Sequence, residues 1–376
     1  MAYLDYNATS PLRPEAKGIM ERALTLGGNA SSVHGRGRAA RAMIEAAREQ
    51  VAAFAGAKPS QVVFTSGGTE ANALALWSAV QGAAVAGSRI TRLFVSAIEH
   101  ETVLAAAAAA AERMAGIRLE IVPCAPDGVI VLDSVRKALR EGKGRALIAL
   151  MAANNETGAI QSVAEASSIA AEAGALLFVD AVQAAGKMPV PAADYVTLSA
   201  HKIGGLQGTG ALVVRDAPFA AQMVGGGQEH GRRAGTENLA GIAAFGAAAE
   251  AAGTDASSGL RDRFEEGVRR VMPDAIIFAE ASPRLGNTSN FALPGIPAET
   301  ALMALDLDGV MMSSGAACSS GSVKPSHVLA AMGVREDLAR CALRASFGWD
   351  STGADVDAAL AAISNLVARV RPRAAA

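Results

Sequence analysis

Cysteine is scarce in this chain. Only Cys124, Cys318 and Cys341 occur in 376 residues, an odd number with no paired spacing and no Cys-x-x-Cys. That excludes a disulfide framework and argues against a structural zinc or an all-cysteine iron–sulfur site within one chain. It fits a reducing compartment. An excess of one charge is missing too. Lys plus Arg is 34 against 36 for Asp plus Glu, so the basic surplus of a nucleic-acid binder is absent. No apolar run is long enough to span a membrane: the alanines from Ala105 to Ala111 meet Glu112 and Arg113, and Leu239 to Ala249 stops at Glu250. The start, Met1-Ala2-Tyr3-Leu4-Asp5, has neither the basic nor the apolar region of a signal peptide. The expectation is a soluble, cytoplasmic protein with no nucleic-acid or membrane partner.

What is present is the material for a large core. Hydrophobic residues make up 51% and charged residues 19%, so the chain is globular and long enough for two domains. Short unalternating apolar runs recur with helical patterns between them: Val62 to Thr65, Leu93 to Ser96, Leu119 to Val122, Leu147 to Met151, Leu176 to Val179, Tyr195 to Ser199 and Ala211 to Val214. Strands of that kind, separated by helices such as Ala71 to Val85 and Val163 to Ala173, predict an α/β fold with a mainly parallel sheet covered on both faces. The stretch Gly253 to Gly259 reads as a boundary. It divides a large domain, 15–255, from a smaller α+β domain made of 1–14 and 256–376.

Open parallel sheets bind ligands at the carboxyl ends of their strands, and the polar residues collect there. Tyr195-Val196-Thr197-Leu198-Ser199 runs into Ala200-His201-Lys202 and a glycine-rich exit. An amine in such a place can have its pKa lowered and attack a carbonyl, so Lys202 is a candidate Schiff-base lysine. Taken alone, a surface lysine on a glycine-rich loop accounts for it as well. Thr65-Ser66-Gly67-Gly68-Thr69 joins a strand to a helix without a Walker lysine. It is either a phosphate cup at a helix N-terminus or an ordinary capped turn. Asp180 closes a strand with Gln183 one turn on, a carboxylate placed to face a cationic ring nitrogen. His100 and Asn154-Asn155 close two more strands. A phosphate cup, an acid for a pyridine nitrogen, a histidine able to stack, and a nucleophilic lysine together specify pyridoxal 5′-phosphate.

The chain resembles the NifS/IscS-type cysteine desulfurases, in the class V branch of the fold-type I aminotransferases. The resemblance spans nearly its whole length. It is carried by Tyr3 to Thr9, Asn29 to Gly37, Thr65 to Asn72, Glu99-His100, Asn154-Asn155-Glu156-x-Gly158, Asp180-x-x-Gln183, Ser199-x-His201-Lys202, Gly231-Arg232-Arg233-x-Gly235-Thr236, Ser313-Ser314-Gly315-x-Ala317-Cys318, and Arg344. The cysteine loop is the most specific of these. Leu206 stands where many relatives have proline, which bears on loop stiffness. The short tail after the terminal helix departs from the longer tail usual in the housekeeping branch, which leaves the sulfur acceptor open.

The resemblance implies roles residue by residue. Lys202 would hold the cofactor and shuttle the substrate's α-proton, with His100 stacked on the ring and acting in proton transfer. Gly68, Thr69, Ser199 and His201 would hold the phosphate, joined by Thr236 from the other subunit of a homodimer. Asp180 would keep the ring nitrogen protonated and Gln183 would meet the ring oxygen. Asn155 and Arg344 would bind the carboxylate of L-cysteine, Arg344 by its planar fork. Cys318, on a small-residue loop of about 311–325, would collect sulfur as a persulfide and pass it to an acceptor protein such as an iron–sulfur scaffold. No metal is expected within one chain, beyond a transient iron–sulfur contact at Cys318. A selenocysteine lyase or another β-eliminase would use the same lysine and arginine. A scaffold subunit with a decayed site is disfavoured by the presence of Lys202, Asp180 and Cys318 together.

Overall fold

A strand buried on both faces has no polar side to show, which is why its sequence runs apolar without alternation. In this computed structural model, which describes residues 1–253, 257–314, 318–319, 322–323 and 326–370, those runs form one sheet. The chain begins with β1 (Ala2–Tyr3) and two helices, Pro14–Leu26 and Gly35–Phe54. It then lays down β2 (Val62–Thr65), β3 (Ile90–Ser96), β4 (Arg118–Val122), β5 (Arg145–Met151), β6 (Leu176–Asp180), β7 (Tyr195–Ser199) and β8 (Gly210–Val214). Their order across the sheet is β2-β8-β7-β6-β5-β3-β4. The neighbours from β7 to β4 are parallel, whereas β8 is antiparallel to both β7 and β2. An apolar run reveals burial and not direction, so the sequence carries no sign of that reversal.

One helix differs from its sequence expectation. The pattern Ala71 to Val85 is a helix over Gly68–Trp77, a π-turn over Ser78–Gly82 and a last turn over Ala83–Val85. The turn widens where the helix is packed most closely: a Cβ on Gly82 would lie 2.7 Å from the backbone nitrogen of Phe219. The widened turn brings the chain at Pro218 and Phe219 against the helix.

After the helix Leu239–Ala251 the chain builds a second centre. The helix Ser258–Val271, β9 (Ile276–Ile277), β10 (Thr288–Ala292), the helix Ala298–Leu307, β11 (Val310–Met311), β12 (Cys318–Ser319), β13 (Ser322–Val323), two short helices, β14 (Ala342–Ser346) and the helix Gly353–Val370 follow in turn. β14, β10 and β9 form an antiparallel sheet. β1 returns to this region and pairs parallel with β11, and Leu4 joins its core with Phe264, Phe291 and Phe347. Phe264 meets the other two rings edge-on at 5.3 and 5.9 Å, a preferred aromatic geometry. Residues 5–13 then cross back to the sheet: Ser10 and Arg13 donate their backbone N–H to the carbonyls of His201 and Gly204. No helix among the described residues is long and apolar enough to cross a membrane.

Candidate active site

The carboxyl ends of the parallel strands open on one cavity of about 600 Å³. Gly68, Thr69, His100, Asn155, Asp180, Gln183, Ser199, His201, Lys202 and Arg344 all line it. Of the residues singled out in the sequence, Thr236 does not: it is exposed and lies outside the wall. Cys318 opens β12, and its side chain lies outside the described residues.

Lys202 stands at the end of a single 3₁₀ turn that follows β7. Its Nζ donates to the carbonyls of Asn7 at 2.7 Å and Ala8 at 2.8 Å. Both acceptors are neutral, so nothing bonded to the ammonium holds its charge. Burial, then the Arg344 cation, lowers the pKa to about 8, with Asp5 and Asp180 acting the other way. Beside it His201 meets the Thr9 hydroxyl at 3.1 Å. Burial and the Lys202 charge bring His201 down to about 4, so its ring is neutral at pH 7.

Asp180 is the last residue of β6 and is buried. One oxygen accepts from the N–H of Val182 at 2.9 Å and the other from the Asn72 amide at 2.9 Å. Asn72 is fixed in turn, accepting from the Thr197 hydroxyl at 2.7 Å and donating to that of Thr102 at 3.0 Å. This relay has little signature in the sequence. Its only trace there is a single asparagine among apolar residues in the first turns of a buried helix, a place where an amide needs partners. A second carboxyl lies two strands away, beyond the end of β3. Glu99 is fully buried, accepts from the Met151 N–H at 2.5 Å and leaves its other oxygen without a partner. Burial, and next the charge of Asp180, pushes it up to about 8.

Gly68 and Thr69 begin a ten-residue helix. A Cβ on Gly68 would come within 3.3 Å of Val182 and 3.5 Å of Ser199, so glycine keeps this end of the helix open. Ser199, at the end of β7, is buried against it. His100 caps the helix Glu101–Arg113, its Nδ1 accepting from the Thr102 N–H at 3.2 Å. That leaves the proton on Nε2. Gln183 donates to the Asn7 carbonyl at 3.0 Å and accepts from Lys187 at 2.7 Å.

Arg344 sits mid-strand in β14 with a buried side chain. It donates to Asp5 Oδ1 at 2.7 Å and to the carbonyl of Asn155 at 3.0 Å, while its Nε is buried without a partner. Its backbone pairs with Ser313 in both directions. Ser326 donates to the buried Glu156 carboxylate at 2.5 Å. The two ends of the segment that contains Cys318 are thus tied to the cavity wall.

As a donor set this fits a planar, phosphorylated pyridine aldehyde. It offers an amine of lowered pKa, an open helix end with hydroxyls beside it, and a buried carboxylate fixed by two N–H groups. The orphaned guanidinium N–H of Arg344 adds a place for a carboxylate.

Comparison with known proteins agrees with this chemistry. Residues 2–359 match the family model described as aminotransferase class-V. A cysteine desulfurase of Cereibacter sphaeroides is 42% identical, with 98% of this chain and 96% of that protein aligned. An IscS-like cysteine desulfurase of Mycobacterium tuberculosis is 39% identical, covering 100% of this chain and 98% of the relative. Among solved structures, a NifS-like protein superposes with a TM-score of 0.88 at 31% identity, over 98% of this chain and 100% of that one.

Proposed function

The chain belongs to the class-V aminotransferase family and, matched along its length by cysteine desulfurases, is a pyridoxal-phosphate-dependent cysteine desulfurase; on that premise we propose how its residues divide the work. When bound, the cofactor supplies a protonated ring that withdraws electrons from the substrate's α-carbon. Lys202 holds the aldehyde carbon and then takes and returns the α-proton at Nζ. Its lowered pKa frees the amine near neutral pH. Asp180, held rigid by Asn72 and Val182, keeps the proton on the ring nitrogen. Gln183 would meet the ring oxygen, and His100 would face the ring with a proton available on Nε2. Gly68, Thr69, Ser199 and His201 hold the phosphate. Thr236 completes that grip from a second copy of the chain, a reading supported by its exposure outside its own cavity.

Asn155 and Arg344 take the carboxylate of L-cysteine, and the free Nε–H of Arg344 supports this. The Cys318 thiolate then bonds to the substrate sulfur and the Cβ–S bond breaks. The electron pair left on carbon is protonated and alanine departs. The persulfide on Cys318 passes to an acceptor protein, of which an iron–sulfur scaffold is the type we favour, in the cytoplasm. On the same reading residues 15–255 form the cofactor domain, and 1–14 with 256–376 form the domain that carries Cys318.

One observation carries the assignment: a half-buried amine bonded only to carbonyls shares a cavity with a fixed carboxylate and an unpaired guanidinium N–H. Mass spectrometry after incubation with cysteine should find one added sulfur on Cys318. Cys318→Ala should stop alanine formation, and a variant that keeps turning over would instead mark a plain β-eliminase. Lys202→Ala should abolish the absorbance of the bound cofactor.

A further inference from the structure

The helix whose start is the proposed phosphate cup carries a carboxylate in its own first turn. Glu70 follows Gly68 and Thr69 directly. An anionic side chain there competes with a bound anion for the same free N–H groups and the same positive end of the helix. Glu70 folds back over that end, accepting from the N–H of Ser66, just ahead of the helix, at 2.7 Å.

Its charge is offset from far along the chain. Arg233 forks onto it, Nε to Oε1 at 2.8 Å and Nη2 to Oε2 at 3.1 Å. Both side chains are only 20% exposed, so water screens the pair little. Arg233 does not line the cavity. The segment that delivers it is held rigidly. Glu229, His230 and Gly231 take φ of +49°, +57° and +76° in succession, a left-handed run that two of these residues adopt only under constraint. The constraint is a buried fork: Arg48 donates to Glu229 at 2.8 and 2.9 Å, and the Phe64 N–H adds a third bond at 2.8 Å. Phe64 belongs to β2, which runs straight into the cup.

We propose that Arg233 is a positioning residue for the cofactor's phosphate: it cancels the Glu70 charge and keeps the helix end open to a dianion that it never touches, while the Arg48–Glu229 pair fixes the turn that delivers it. This rests on reading Gly68 and Thr69 as the phosphate cup.

The test titrates protein stripped of cofactor with pyridoxal 5′-phosphate and with pyridoxal, which lacks the phosphate, at low and high salt, following absorbance. Arg233→Gln should weaken pyridoxal phosphate binding by about 3- to 30-fold and leave pyridoxal unchanged. Glu70→Gln keeps an acceptor for Ser66 and frees the Arg233 charge, so it should tighten pyridoxal phosphate binding. Both shifts should shrink at high salt. A pair that merely braced the turn would weaken binding in both variants, and that result overturns the inference, as does an equal loss for the two ligands. A wild-type protein with no preference for the phosphorylated ligand would remove the cup itself, and the inference with it. If Arg233→Gln does not fold, Glu70→Gln decides by sign: tightening supports the compensating role, and weakening or no change rejects it.

Discussion

The chemistry at Lys202 turns on the company its amine keeps. With a pKa of about 8 in place of 10.5, roughly a tenth of the amine is neutral at pH 7, against far less for a free lysine. Reaction of the stripped protein with pyridoxal phosphate should therefore rise with pH through a midpoint near 8. Arg344→Gln removes a cation that lowers this value and frees Asp5, which raises it. The midpoint should move up by as much as about one unit, read from loading rates against pH; an unmoved midpoint would leave burial as the only cause. Glu99 titrates in the opposite sense. Its folded pKa of about 8 lies above the ordinary 4.5, so between those values the folded chain holds a proton that the unfolded chain has lost. Its contribution to stability is greatest below about 4.5 and falls as pH rises to about 8. Glu99→Gln should flatten that fall, seen by comparing denaturant midpoints at the two ends of the window. Lys202 is visible in the sequence because a lysine that closes a short turn after a buried strand is poorly placed for hydration and needs a chemical reason to be there. Glu99 was visible only as the neighbour of His100, because nothing in a sequence tells a buried carboxyl from a solvated one.

At the scale of elements, the strand ends were readable and the pieces that brace them were not. Apolar runs and strand-to-helix punctuation are enough to place Asp180, Ser199 and Thr69 at one edge of a sheet. β14 left no such mark, because Ala342-Leu343-Arg344-Ala345-Ser346 is wholly buried yet holds an arginine and a serine, so neither alternation nor an apolar run betrays it. The crossing at residues 5–13 reads in the sequence as a short extended piece, although it is the hub of the site. Asn7 donates its amide to the Asn155 carbonyl at 3.1 Å and the Thr288 hydroxyl at 2.9 Å. It accepts from Asn287 and Lys187 on its side chain, and from Gln183 and Lys202 on its carbonyl. An asparagine with partners so distant in the chain has no local signature. Asn7→Ala removes one partner from the donors Asn287 and Lys187 and one from the acceptors Asn155 and Thr288, at a cost of about 2–4 kcal/mol, measurable by denaturant unfolding. Lys202 is bonded through the Asn7 carbonyl, which alanine keeps, so cofactor loading should suffer less than stability. A variant that unfolds no more easily than wild type would mean that water replaces the lost bonds.

For the whole molecule the decisive fact is that the site is assembled from two cores. Lys202, Asp180 and the cup hang from the seven-stranded sheet, whereas Arg344 hangs from β14, whose Leu343 and Ala345 pack with Phe264, Phe291 and Phe347. A fault in the second core should therefore reach the substrate before it reaches the cofactor. Phe264 is fully buried and touches both other rings of that cluster, so Phe264→Ala should destabilise this core by about 3–5 kcal/mol. β14 pairs with β10 through Asn290 opposite Arg344, one residue from Phe291, so loosening of the cluster passes directly to the guanidinium. The prediction is a raised KM for L-cysteine with the dissociation constant for pyridoxal phosphate little changed. Conservative Phe264→Leu should fall between the variant and wild type, since it restores most of the volume. Equal losses of cysteine and cofactor binding would mean that the two cores yield as one cooperative unit. The crossing segment that carries Asn7, bonded to both, would then be the part that couples them.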